Sequence, residues 1–274
     1  MKLATVFLST TAILVATSAL AADLPTMKAP PAPMPTLAVA PYSWTGFHIG
    51  IGGGLAALQV KSSSDSYLND YVNGVYSYGG ERSDLGKFGA FGTIEVGGDY
   101  QMDRFVVGAF GDFNFGDLKA GGKSAAPAYC HTNINNNCTT TAIHSVWYKI
   151  NNSWDAGVRL GYLLNDRNLV YALGGYTSAD IKSGARLDQY VNGNAAPYQY
   201  VYSSQSGWKS GWLIGAGWET ALTDHITFKA EYRYADYGTV SSIYQYNNGP
   251  YNGGARSSGK IAVQSVRAAL SYKF

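Results

Sequence analysis

The last sixteen residues of the chain, Gly259–Phe274 (GKIAVQSVRAALSYKF), alternate between apolar and polar side chains and end on phenylalanine. One face of an extended strand would collect the apolar and aromatic members: Val266, Ala268, Leu270, Tyr272 and Phe274. The other face would carry Arg267, Ser271 and Lys273. A C-terminal aromatic residue on such a strand favours the closing strand of an outer-membrane barrel, with lipid outside and a polar interior. A soluble sheet can show the same alternation, so the rest of the sequence has to decide.

The N-terminus has the organisation of a secretory signal. Lys2 precedes an apolar stretch over residues 3–16, and Ala19-Leu20-Ala21 supplies the small-x-small pattern before a cleavage site. The apolar stretch is shorter than the roughly 20 residues that a membrane-spanning helix needs. We therefore expect residues 1–21 to be a cleaved signal peptide and the mature chain to begin at Ala22.

Residues 22–41 are rich in proline and alanine, a composition that favours extended, poorly packed backbone. We expect this segment to be a periplasmic linker that leads into a barrel domain over residues 42–274. Only 14% of the residues are charged and the net charge is +2, which gives no electrostatic footprint for nucleic acid. Beyond the signal no long apolar segment exists, so a chain that spans the membrane must do so with paired strands.

Eight strand-like segments follow the linker. They are predicted at 44–60, 87–100, 105–115, 152–164, 169–181, 209–221, 226–237 and 259–274. Tight turns near 101, 165 and 223 alternate with long segments at 61–86, 116–151, 182–208 and 238–258. Short turns on one side and long loops on the other are typical of outer-membrane barrels. The prediction is an all-β, eight-stranded antiparallel transmembrane up-and-down β-barrel with long extracellular loops and short periplasmic turns.

The positions of the aromatic residues favour a membrane barrel over a soluble barrel or sandwich. On the presumed lipid face they lie toward strand ends: Trp44, Tyr100, Phe105, Trp154, Trp218, Tyr234, Tyr272 and Phe274. Strand centres carry smaller aliphatic residues and glycine. Aromatic girdles at both membrane interfaces have this pattern, so we expect the protein in the outer membrane.

Three stretches resemble the outer-membrane immunogenic proteins of alpha-proteobacteria: the mature start 22–25 (ADLP), the opening 42–50 (YSWTGFHIG) and the closing 266–274 (VRAALSYKF). The resemblance covers the barrel and not its loops. It implies an OmpA-like transmembrane architecture and a non-enzymatic role as an abundant surface antigen that stabilises the Gram-negative envelope. The expected partners are outer-membrane lipid, lipopolysaccharide and the barrel-assembly machinery, the last through the C-terminal strand and Phe274. Some relatives bind haem.

Charged residues at inward positions should fill the lumen, because an eight-stranded barrel is only wide enough inside for side chains. The inward positions carry both signs: Glu95, Asp112, Asp155, Arg159, Glu219, Lys229, Glu231, Arg233 and Arg267. Unpaired charges would be costly in such a space, so we expect a paired network that occludes the lumen. This argues against a general diffusion porin and leaves a small-conductance, porin-like channel as an alternative.

The predicted loops suggest a further alternative, a surface receptor or adhesin for host molecules. Several of them combine tyrosine with Ser, Asn and Gly, the composition of antibody binding loops. The second loop contains Cys130 and Cys138, which an oxidising compartment should join in a local disulfide. Its His131 and His144 are candidate haem ligands, with zinc disfavoured by the spacing. No linear motif for catalysis was found, so we expect no enzyme.

Overall fold

Eight β-strands make up nearly all of the part of the chain that the structure, a computed structural model, describes: residues 41–70, 74–126, 140–191, 199–248 and 251–274. They are β1 (Gly46–Asp70), β2 (Gly74–Met102), β3 (Phe105–Ala126), β4 (Thr140–Asn165), β5 (Asn168–Val191), β6 (Gln199–Ala221), β7 (Ile226–Asn248) and β8 (Tyr251–Lys273). Each strand pairs antiparallel with its sequence neighbours, and β8 closes the ring against β1. The predicted eight-stranded up-and-down barrel is confirmed.

Among the described residues, no helix is long and apolar enough to cross a membrane. The predicted signal peptide and linker, residues 1–40 in large part, lie outside the described residues, as do Cys130, His131 and Cys138.

An apolar band surrounds the outside of the barrel at its turn-side end. On β1 the outward side chains Phe47, Ile49, Ile51 and Leu55 are exposed although they are apolar. Aromatic rings border the band at both levels, as in the pairs Trp154–Tyr176 (centroids 5.2 Å apart), Phe105–Tyr162 (5.5 Å) and Tyr272–Phe274 (5.1 Å). A band of about nine to eleven residues per strand is what a bilayer requires of tilted strands. This band is therefore the membrane-spanning part.

Trp44 does not belong to the lipid face, so its predicted position there was wrong. It precedes β1 and is only 2% exposed inside the periplasmic end of the barrel. Its backbone N–H donates to Gln101 Oε1 (2.8 Å) and its Nε1–H donates to the Asp166 carbonyl (3.1 Å). The alternation of β1 does not apply to Trp44, because the strand begins only at Gly46. Gly46 itself has a φ of +148°, which favours glycine.

The strands are longer than predicted, 22 to 29 residues each, and they take up most of the predicted extracellular loops. The β1–β2 ladder, for example, runs from the pair Gly46↔Asp99 to the pair Asp70↔Gly74. The prediction ended these strands early because it followed apolar side chains on the outer face. Beyond the membrane the outer face becomes polar, while the backbone hydrogen-bond ladder continues.

Above the apolar band the barrel divides into two four-stranded sheets. The β2–β3 ladder ends at Phe91↔Gly116, and the β6–β7 ladder extends no further than Trp212↔Asp236. The other six ladders continue outward, which leaves one sheet of β3–β4–β5–β6 and one of β7–β8–β1–β2. We call this part the extracellular half.

Register shifts mark the level at which the two sheets separate. They occur between Phe115 and Leu118 in β3, between Ile150 and Ser153 in β4, and between Asp236 and Thr239 in β7. In the last, Gly238 has φ +71° and its N–H donates to Asp236 Oδ1 (2.8 Å). Such bulges bend and twist strands locally, which allows the ring to flatten.

Candidate functional site

A layer of charged side chains crosses the lumen at the level of the membrane. It consists of six carboxylates and four cations: Glu95, Asp99, Asp112, Asp155, Glu219 and Glu231 with Arg159, Lys229, Arg233 and Arg267. Their side chains are at most 10% exposed. We call this set the ion-pair layer. Its members come from six of the eight strands, so it ties the wall together from inside.

Two arginines at neighbouring strands hold the centre of the ion-pair layer. Arg233 Nη1 lies 2.8 Å from Asp112 Oδ2 and 3.2 Å from Asp155 Oδ2, and its Nε donates to Glu231 Oε2 (3.0 Å). Arg267 shares the same Glu231 oxygen and also pairs with Asp112 (Nη1–Oδ1 3.3 Å). Each guanidinium is thereby satisfied by more than one carboxylate, as a buried ion pair requires.

Arg159 organises the periplasmic side of the layer. Its Nε donates to Asp99 Oδ1 (2.8 Å) and its Nη1 to Glu219 Oε2 (2.7 Å). The guanidinium also lies over the Tyr171 ring, 5.0 Å from its centroid, and the Tyr171 hydroxyl donates to Glu231 (2.6 Å). These contacts link Asp99 and Glu219 to the central group through one continuous hydrogen-bonded network.

Glycines on the inner face of β1 make room for the layer. A Cβ on Gly50 would lie 2.5 Å from Ser271 Oγ and 2.7 Å from Glu95 Oε1. Both distances are shorter than the closest approach of a real Cβ atom. A larger residue at position 50 would therefore displace the Glu95 side chain, which pairs with Lys229.

Two apolar clusters fill the lumen together with the ion-pair layer. The first begins at the periplasmic end and continues beside the charges on β5 and β6, where Leu173 pairs with Arg159 and Leu169 pairs with Glu219. It consists of Tyr42, Trp44, Val106, Leu163, Leu169, Tyr171, Leu173, Leu213 and Ala221. The extracellular cluster lies between the two sheets and includes Leu58, Val60, Leu118, Tyr148, Ile150, Ile181, Tyr237 and Ile261. Leu58, Leu169 and Ile261 are completely buried. The lumen is thus filled by one charged and two apolar groups of side chains, with apolar residues at both ends and, on β5 and β6, also beside the charges.

A cavity of about 60 Å³ lies between the ion-pair layer and the extracellular cluster. Asn114, Ser153 and Arg233 line its polar side, and Leu118 and Ile150 line its apolar side. Asn114 Oδ1 is buried without a hydrogen-bond partner among the described residues. The volume suits a few water molecules and is far too small for haem or a sugar.

The nine charges that the sequence places in the lumen all lie inside the barrel and in the ion-pair layer. Sequence reasoning missed Asp99 and His48, whose Nδ1 lies 3.4 Å from Asp99 Oδ2. The alternation of the strand could have predicted Asp99 as an inward residue, because it lies four residues after Glu95 and thus on the same face of β2. Tyr171 was missed because a tyrosine at an inward position is not marked by charge.

The other candidate residues of the second predicted loop, Cys130, His131 and Cys138, lie outside the described residues. His144 lies in β4, where its backbone pairs with Leu187, and its side chain is outside the described set. Within the described ranges, no group of three or more His, Cys, Asp or Glu side chains could hold a metal ion. The N–H of Phe274 donates to the Phe47 carbonyl (3.0 Å), which fastens the chain end to β1.

Comparison with known proteins identifies the family of this chain. The family model described as outer membrane protein beta-barrel domain matches residues 12–274. The chain is 31% identical to a 31 kDa outer-membrane immunogenic protein of Brucella melitensis, over 98% of this chain and 99% of that protein. It is 27% identical to a 25 kDa outer-membrane immunogenic protein of Brucella abortus, over 89% and 86%. The crystal structure of the outer membrane protein OprG from Pseudomonas aeruginosa aligns with 84% of this chain and 96% of its own, at 15% identity and a TM-score of 0.39. The chain is an outer-membrane protein and belongs to the outer membrane β-barrel family.

Proposed function

We propose that this protein is a non-enzymatic structural component and surface antigen that stabilises the outer membrane. The observation that carries the proposal is the complete filling of the lumen. A barrel whose interior is occupied by paired charges and two apolar clusters gains rigidity and offers no wide path for solutes. Relatives named as outer-membrane immunogenic proteins support the antigen role.

The small-conductance channel is disfavoured by the same filling. An ion crossing the lumen would have to break the pairs around Arg233 and also pass apolar clusters that contain completely buried leucines. Dehydrated passage through apolar layers is energetically unfavourable for an ion.

A second candidate, a receptor or adhesin, is favoured by the outer part of β6. Residues 204–210 are exposed on both faces, and above Trp212 the described part of β6 pairs only with β5. A free strand edge can accept an extended segment of another protein. Haem binding through His131 and His144 stays a prediction, since neither imidazole is among the described side chains.

Complementation of a deletion strain separates the two roles. The strain would receive the wild-type gene, a Trp208→Ser/Lys209→Ser variant of the exposed β6 edge, or no gene. Sensitivity to detergent and leakage of a periplasmic enzyme would report envelope integrity, and adherence to host cells would report receptor activity. If the role is structural, the edge variant should restore envelope integrity fully.

Failure of the wild-type gene to restore integrity would contradict the structural role. Lost adherence in the edge variant would support the receptor role, and unchanged adherence would contradict it. Heat-dependent gel mobility of both proteins is the control for folding, because folded barrels migrate differently from unfolded chains.

A further inference from the structure

Three lysines lie directly beside one another on neighbouring strands. Lys119 of β3 pairs with Lys149 of β4, and Lys149 pairs in turn with Lys182 of β5. We call them the lysine row. Side chains at directly paired positions on one face of a sheet have Cβ atoms only about 5 Å apart, so like charges there repel.

All three members of the row point away from the barrel interior. Their sequence neighbours Leu118, Ala120, Ile150, Ile181 and Ser183 are buried inside. Because strand residues alternate between faces, the lysines must lie on the outer face. Lys119 is 63% exposed and Lys149 is 32% exposed, so their ammonium groups are available to the surroundings.

The lysine row lies just outside the aromatic border of the apolar band. Lys119 follows Phe115 by four residues, Lys149 precedes Trp154 by five, and Lys182 follows Tyr176 by six. Along tilted strands these separations amount to roughly 10–15 Å along the membrane normal. This is the level of the outer-leaflet headgroups, including the phosphate-bearing sugars of a glycolipid.

The protein itself neutralises the row only in part. Asp117 Oδ2 lies 2.6 Å from Lys119 Nζ, and Asp117 Oδ1 lies 3.2 Å from Lys149 Nζ. The hydrogen bond from Lys119, assisted by Lys149, lowers the pKa of the Asp117 carboxyl. Above the band, the described outward positions of this sheet hold five basic and two acidic residues: Lys119, Lys123, Lys149, Lys182 and Arg186 against Asp117 and Asp180. The outer face therefore carries excess positive charge.

We propose that the lysine row is a binding site for the phosphate groups of outer-leaflet glycolipid headgroups. Anionic phosphates at this level would relieve the repulsion between the three ammonium groups. Each lysine would form an ion pair with one or more phosphate oxygens. The inference goes beyond the structural role, because it assigns a particular lipid contact to three named side chains.

The test is a titration of the refolded protein in zwitterionic detergent with bisphosphorylated lipid A, followed by native mass spectrometry. The Lys119→Gln/Lys149→Gln/Lys182→Gln variant is expected to bind roughly tenfold to a hundredfold more weakly than wild type. The corresponding triple arginine variant should keep its affinity. Dephosphorylated lipid A should bind both proteins equally weakly.

A matched control removes the same charge elsewhere. The Lys61→Gln/Lys87→Gln/Lys209→Gln variant changes three exposed lysines that lie outside the row and are not cross-strand neighbours of one another, although Lys61 pairs with one other lysine, Lys260. Its affinity should stay close to wild type, and an equal loss would overturn the proposal in favour of general charge attraction. Tight binding of soluble pyrophosphate by the row would show a free-phosphate site and contradict the lipid assignment.

Stability gives an independent readout. Without lipid A, the glutamine variant should be as stable as wild type or slightly more stable, since it lacks the like-charge contacts. Lipid A should raise the unfolding midpoint of wild type and leave that of the folded glutamine variant unchanged. An equal rise in both proteins would contradict a site at the row.

Discussion

The two halves of this barrel are built with opposite polarity, although the same strands run through both. In the membrane-spanning part of β8, Val266 faces lipid and Arg267 lies in the lumen. A few residues earlier on the same strand, Ile261 is completely buried between the sheets and Lys260 is exposed. β1 changes in the same way between Leu55, which faces lipid, and Leu58, which is buried.

The medium outside the wall, lipid or water, decides which side chains the interior contains. Where lipid covers the wall, apolar side chains point outward and the narrow lumen takes the charges. Where water covers the wall, the two sheets bury apolar side chains between them as a soluble sandwich does. The change of solvent at the aromatic border therefore inverts the alternation of β1 and β8.

The largest effect is expected for the ion-pair layer. Arg233→Ala would leave the buried Asp155 without its cation and would leave Asp112 and Glu231 with Arg267 alone, and should lower the free energy of unfolding by about 4 kcal/mol. Urea unfolding in detergent micelles measures this. The control is Lys260→Ala in the extracellular half, which removes an exposed partner of Asp236 and should change stability little. An equal loss of unfolding free energy in the two variants would contradict the difference between the buried ion pairs of the membrane-spanning part and the exposed ion pair of the extracellular half.

A somewhat smaller effect is expected for the apolar cluster of the extracellular half. Leu58→Ala removes a completely buried side chain between the sheets and should cost about 3 kcal/mol, because the two sheets cannot close over the cavity. Leu55→Ala, three residues earlier on the lipid face, leaves no cavity since lipid fills the space, so its cost should be clearly lower. Urea unfolding of both variants in lipid vesicles compares them.

At the periplasmic end, Trp44→Phe tests the hydrogen bond that fixes the entering chain. Loss of the Nε1–H bond to the Asp166 carbonyl should reduce stability by about 1 kcal/mol. Trp154→Phe on the lipid face is the matched substitution, with no such described bond to lose. If Trp154→Phe were the more damaging change, the inward position of Trp44 would be contradicted.

The smallest effect at neutral pH is expected for Tyr42→Phe. The Tyr42 hydroxyl is buried without a described partner, so its removal should be neutral or slightly stabilising. Burial, helped by the carboxylates of Glu219 and Asp99, raises the pKa of Tyr42 to about 12 from 10. The unfolded chain therefore loses this proton first. The contribution is fully present below pH 10 and is lost as the pH rises toward 12.

The measurement for Tyr42 is the difference in unfolding free energy between wild type and Tyr42→Phe at several pH values. Wild type should lose stability relative to the variant between pH 10 and pH 12. A difference that stays constant over this range would contradict a buried hydroxyl at the periplasmic mouth.

The sequence predicts the membrane-spanning part well because lipid imposes a simple rule on it. On β7, Ile226, Phe228 and Tyr232 face outward while Lys229 and Glu231 face the lumen, as strict alternation predicts. The same rule finds the inward charges, and it missed Asp99 only because that residue lies beside the end of its predicted strand.

The extracellular half could not be predicted in the same way. From Leu58 onward the apolar residues of β1 occupy the opposite face, so a search for lipid-facing alternation ends there. The separation into two sheets depends on where ladders stop, as at Phe91↔Gly116, and on bulges such as the one beside Gly238. These features arise from packing between distant strands, which no local pattern records.

The ion-pair layer and the two apolar clusters together close the lumen. Single-channel recording of the refolded wild-type protein in a planar bilayer tests this closure most directly, after heat-dependent gel mobility shows a folded barrel. We expect a folded protein without steady openings, because any ion would meet paired charges and two apolar clusters. Reproducible openings of constant conductance in the folded protein would contradict a closed lumen.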